Sequence, residues 1–162
     1  IFDVIRKYHG LGARERLLLQ ISAILHDCGK FISMSSPGDC SYHIIMSTEI
    51  LGLSHAEREM VANVVRYNTL EFPSYDEFDG KLSMEQYLVV MKLAAILRVG
   101  NALDRSHKQK SEEMKLSLKD STLTITTNYD GDLMLERSIL EAKSRFFEEV
   151  YGIRLQIRQK RK

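Results

Sequence analysis

The spacing of apolar residues switches at Ser111, and that switch limits the folds open to this chain. Up to about residue 110 the apolar side chains return every three or four positions, as on one face of a helix; beyond it they first alternate with polar ones. The expected organisation is a helical part, about 1–110, and a small sheet-plus-helix part, about 111–162, ending in a basic tail.

Within the helical part, Leu17, Leu18, Ile21, Ile24, Leu25 and Cys28 mark a helix over 13–30, with Gly29 as its stop. The Ser-, Gly- and Pro-rich stretch 31–40 reads as a loop, and a second helix is expected from about Ser41 to Leu51. Ser54 stands three residues before Glu57, the capping-box spacing, ahead of a helix reaching about Tyr67. The segment 71–80 carries Glu71, Asp76, Glu77 and Asp79 with no basic residue and reads as a solvated acidic loop. From Ser83 to about His107 runs the longest periodic segment, where Gly100 implies close packing or a bend. After Ser111, MKLSLK and TLTITT alternate around Lys119, Asp120 and Ser121, as a hairpin does. A helix closing on Gly152 and the strand IRLQIR complete a ββαβ order.

Composition removes several classes. With 23 basic and 22 acidic residues there is no global electrostatic case for nucleic acid or a membrane surface, and neither is expected as a partner. Two cysteines, Cys28 and Cys40, make no disulfide framework and suit a reducing compartment, so a cytoplasmic location is expected. No unbroken apolar run approaches the roughly 20 residues of a membrane-spanning helix. The chain opens at Ile1 inside the amphipathic stretch IFDVIRKYHG, and it reads as a piece of a longer protein.

The string that carries most chemistry is LHDCGK, residues 25–30, at the expected end of a helix. Adjacent His26 and Asp27 offer an imidazole nitrogen and a carboxylate oxygen to one divalent ion, and Lys30 is placed to offset phosphate charge. The bland alternative is a satisfied histidine beside a polar aspartate. His9 lies at a helix end. His43 reads as a partly buried helix residue and His55 as a first-turn surface residue. Basic residues gather in DRSHKQK, with Arg105, His107, Lys108 and Lys110, and in the terminal IRQKRK; such runs are either solvated or a track for a polyanion.

HDCGK in a helical segment resembles the HD superfamily of metal-dependent phosphohydrolases. Four longer strings, IFDVIRKYHGLGARERLLL, ILHDCGKFIS, LGLSHAEREMVANVVRYN and KLAAILRVGNALDRSHKQK, with the terminal IRLQIR, are similar to the C-terminal region of the exopolyphosphatase / guanosine pentaphosphate phosphatase family. The resemblance implies a mainly α fold, an HD-domain-like helical bundle followed by a small α+β subdomain. It also implies a division of labour, in which actin-like domains upstream hold Mg2+ and hydrolyse polyphosphate while this region binds the substrate and forms a homodimer. No glycine-rich phosphate loop is present here, so this chain alone is expected to be inactive, with no catalytic residue and no cofactor.

Set against a working HD site, His26 and Asp27 match the doublet, but Cys40 and Asn68 stand where histidines are common and Asn101 where the late aspartate belongs. Asparagine keeps the size and hydrogen bonding of aspartate but not the charge that neutralises a dication. No metal is therefore expected; if one binds, it uses His26 and Asp27. Polyphosphate or guanosine penta- or tetraphosphate is the expected ligand, held by Lys30, Arg66, Arg98, Arg105, His107, Lys108 and Lys110. Two alternatives remain: an independent HD phosphohydrolase acting through His26 and Asp27, and a ligand-free dimerisation or regulatory module.

Overall fold

The computed structural model describes residues 1–78, 82–103, 114–127 and 134–159. In chain order the elements are α1 (Arg6–His9), α2 (Ala13–Leu25), α3 (Pro37–Ser47), α4 (His55–Arg66), α5 (Met84–Leu103), β1 (Lys115–Lys119), β2 (Thr122–Thr127), α6 (Met134–Tyr151) and β3 (Arg154–Gln159). Short 3-10 turns cover Cys28–Phe31 and Tyr75–Glu77. The fold is mainly α with a small ββαβ part, as the periodicity predicts. By contacts the chain divides into Leu11–Leu97 and a discontinuous unit of Ile1–Gly10 with Arg98–Lys162. The expected boundary near residue 110 falls outside the described residues.

In the Leu11–Leu97 unit, α3 and α2 both pack on α4. The core takes Leu18 from α2, Ile45 from α3, Val61, Val64 and Val65 from α4, and Val90 and Leu93 from α5. By length and composition α5 could cross a membrane, but most of that stretch is buried in the fold, as in a core helix. Among the described residues nothing lies within 4 Å of the position a Cβ on Gly100 would take.

Three boundaries differ from expectation. α2 ends at Leu25 rather than near Lys30, because the chain leaves helical geometry at Asp27 (φ −111°, ψ 2°) and tightens into the 3-10 turn. α3 begins inside the expected loop, since Pro37 occupies its first turn, where a missing N–H costs nothing. It ends at Ser47, four residues early: Thr48 is extended (ψ 140°) and its hydroxyl donates to the Ile44 carbonyl at 2.7 Å.

The capping box at α4 is present and extends further. Glu57 accepts from the Ser54 N–H at 2.8 Å and from Arg14 Nε at 2.6 Å, while Arg14 Nη2 donates to the Gly52 carbonyl at 2.7 Å. The start of α2 is thus tied to the start of α4. Hydrogen bonds from Arg14, then from Ser54, hold the Glu57 carboxyl down from its ordinary 4.5 to about 2. A carboxyl depressed in the folded state contributes stability that is complete above the unfolded value and lost as pH falls towards the folded one. Glu57→Gln should therefore be less stable than the parent at pH 7, with the gap closing between pH 4.5 and 2. Urea midpoints measured across that range check this; a constant gap would contradict it.

The acidic segment 71–78 has exposed Glu71, Asp76 and Glu77, as expected, yet it is anchored by its aromatics. Phe72 and Phe78 lie 5.5 and 5.2 Å from the Tyr87 ring, Tyr67 lies 5.1 Å from Phe72, and the Tyr87 hydroxyl donates to the Pro73 carbonyl at 2.8 Å. Burial, with Glu77 and Tyr67 nearby, pushes the Tyr87 phenol up.

In the other unit, β1 and β2 form an antiparallel hairpin whose two-residue turn, Asp120 (φ 47°) and Ser121 (φ 54°), is left-handed at both positions, as a tight hairpin requires. β3 joins β2 in parallel, giving the order β1-β2-β3, and α6 is the crossover between them. Alternation along β2 buries Leu123, Ile125 and Thr127. Gly152 (φ 65°) ends α6, donating its N–H to the Glu148 carbonyl.

Candidate functional site

The turn that follows α2 carries the doublet. His26 is the first residue past the helix, and its Nδ1 lies 2.7 Å from the Ala23 carbonyl. A carbonyl only accepts, so Nδ1 holds the proton and Nε2 is left facing Asp27 Oδ1 at 3.5 Å. The other carboxylate oxygen, Oδ2, accepts from Lys30 Nζ at 2.6 Å. Next to this trio, the Gly29 N–H donates to the buried Ser41 hydroxyl at 2.8 Å, which seats the turn on the first turns of α3.

Nε2 of His26 and Oδ1 of Asp27 are close enough to touch one ion, but the surroundings do not complete a site. Lys30 places a positive charge on the same carboxylate, and among the described residues no three His, Cys, Asp or Glu side chains gather as a ligand set. Of the positions that the resemblance singles out, Cys40 is half-buried with its Sγ 4.0 Å from the Ser36 hydroxyl. Asn68 is 1 % exposed, with no hydrogen-bond partner for its amide among the described residues. Asn101 belongs to the other unit. With Lys30 already on the Asp27 carboxylate, the doublet offers a dication two donor atoms and a competing cation.

The other histidines fall into place individually. His9, 2 % exposed, donates from Nε2 to the Phe2 carbonyl at 2.9 Å and stacks on Phe2. His43 is exposed on α3, not partly buried as expected, with its ring edge-on to Tyr42. His55 opens α4 at the surface.

The structure also places three of the candidate phosphate-binding cations. Lys30 is engaged with Asp27. Arg66 binds Asp39 through Nε at 2.8 Å and lies over the rings of Tyr42 and Tyr67, 5.3 and 5.5 Å from their centroids. Arg98, only 9 % exposed, lies 4.3 Å over the Phe146 ring. Arg66 and Arg98 sit in different units. Arg105, His107, Lys108 and Lys110 lie outside the described residues. Asp39 and Ser41, which tie α3 to Arg66 and to Gly29, carry no sequence signal of those roles: both sit in or beside a stretch that reads as a loop.

A family model described as Ppx/GppA phosphatase, domain III, matches residues 1–144. The chain belongs to this family. It is the family to which the four long strings point, and the match supports a place in the C-terminal region of those phosphatases. Within this Ppx/GppA domain the match takes in α1 to α5 and the hairpin and stops inside α6, so β3 lies beyond it. No curated protein matches the chain.

Proposed function

We propose that this Ppx/GppA domain binds polyphosphate or a guanosine penta- or tetraphosphate and pairs with a second copy in the cytoplasm, while phosphate removal and its Mg2+ belong to actin-like domains upstream. The observation that supports a non-catalytic role is the engagement of Asp27: its carboxylate serves Lys30 and faces His26, so the doublet acts as a contact that closes the turn after α2. Lys30, Arg66 and Arg98 are engaged with neighbouring side chains. The weight of phosphate binding then falls on Arg105, His107, Lys108 and Lys110, whose clustering suits successive phosphates along a chain.

The test is a titration of this chain with long-chain polyphosphate and with guanosine tetraphosphate. Replacing Arg105, Lys108 and Lys110 together by alanine should weaken polyphosphate binding by at least roughly tenfold, about 1.4 kcal/mol. Arg66→Ala should change it less. No phosphate should be released in either case. A dimer that ignores both ligands would leave a pairing module, and phosphate release abolished by His26→Ala would leave an independent phosphohydrolase; either result contradicts the proposal.

A further inference from the structure

The small sheet has an edge on β3, which among the described strands pairs only with β2. The Arg154 N–H donates to the Ser121 carbonyl at 2.9 Å, which fixes how the strand is turned. In an extended strand the N–H and C=O of one residue point the same way and alternate along the chain. Arg154, Gln156 and Arg158 therefore direct their backbone groups at β2, and Leu155 and Ile157 direct theirs outward. Beside that edge is a cleft of about 180 Å³ between β3 and α6, lined by the apolar Leu140, Leu155 and Ile157 and by the polar Arg137, Glu141, Ser144 and Gln156.

We propose that the outer edge of β3 receives an extended acidic peptide segment as an added strand. Backbone bonds to Leu155 and Ile157 would supply the pairing, and alternate side chains the selection. On one face the strand carries exposed Arg154 and Arg158, on the other half-buried Leu155 and Ile157 towards α6. An incoming strand alternating carboxylates with apolar residues sets its acids against the two arginines, at the roughly 5 Å spacing of cross-strand pairs, and its apolar side chains beside Leu155 and Ile157. A second copy of β3 fits less well, because antiparallel pairing about its centre brings Arg154 towards Arg158 of the other copy, and like charges facing across a ladder repel.

The experiment is fluorescence anisotropy on the 162-residue chain with a dye-labelled heptapeptide alternating glutamate and valine. Saturable binding is expected, with the lysine–valine counterpart at least tenfold weaker and Arg154→Glu with Arg158→Glu reversing that preference. N-methylation of all glutamates or of all valines should abolish binding in one frame and spare it in the other, since only every second peptide N–H meets the edge. Ile157→Pro removes an outward N–H that β2 does not use and should weaken binding tenfold with the circular dichroism spectrum unchanged. Equal binding of acidic and basic peptides, equal effects of the two methylation frames, or no binding at millimolar peptide would overturn the proposal. So would a dimer that Ile157→Pro dissociates while no peptide binds.

Discussion

Gly29→Ala is expected to destabilise the protein by about 3 kcal/mol, the sum of a forced backbone shift and a lost buried hydrogen bond. A Cβ at this position would overlap the Pro37 carbonyl oxygen and stand 2.5 Å from both the backbone nitrogen and the hydroxyl of Ser41. Two of those three atoms are backbone of α3, so no rotamer change relieves the overlap; the turn must lift from the helix. Lifting it breaks the 2.8 Å bond from the Gly29 N–H to Ser41, a side chain with no access to water. Urea unfolding measures the loss. A shift under about 0.5 kcal/mol would mean that the turn and α3 are not in the contact described. The same substitution should disturb the His26–Asp27–Lys30 trio, because Gly29 anchors the segment that carries it.

Phe147→Ala should cost about 3–5 kcal/mol, the usual range for a large aromatic removed from a core. Phe147 is fully buried, and its ring centroid lies 4.8 Å from that of Tyr151 on the same helix. It belongs to the fully buried set of its unit with Ile5, Leu123, Ile125 and Ile153. Against a typical domain stability of roughly 5–15 kcal/mol, such a loss should bring thermal unfolding close to ambient temperature. The neighbouring residue is the control. Phe146 is half-buried and meets the Arg98 guanidinium, so Phe146→Ala should cost only about 1 kcal/mol. Melting curves in which the two variants behave alike would contradict this placement of the α6 core face.

The elements whose signals are local were legible in the sequence. Ser54 and Glu57 mark the start of α4 because a capping box lies within four residues, and the Asp120–Ser121 turn is marked by the alternation on either side. What stayed hidden depends on residues distant in the chain. α2 stops at Leu25 although the apolar period continues to Cys28, since Gly29 is drawn onto α3, and α3 starts in a segment whose composition suggests a loop. For the site, His26 and Asp27 were legible as a doublet at a helix end. That Lys30 occupies the carboxylate, and that Asp39 and two tyrosines surround Arg66, are consequences of side-chain packing that spacing alone does not express.

The most direct measurement is the affinity of this chain for long-chain polyphosphate in EDTA at several salt concentrations. Cationic side chains holding a polyanion without a metal predict binding that persists in EDTA and weakens steeply as salt screens the charges. Binding that vanishes in EDTA, returns with added divalent ions and is lost in His26→Ala would show instead that the doublet holds a working metal.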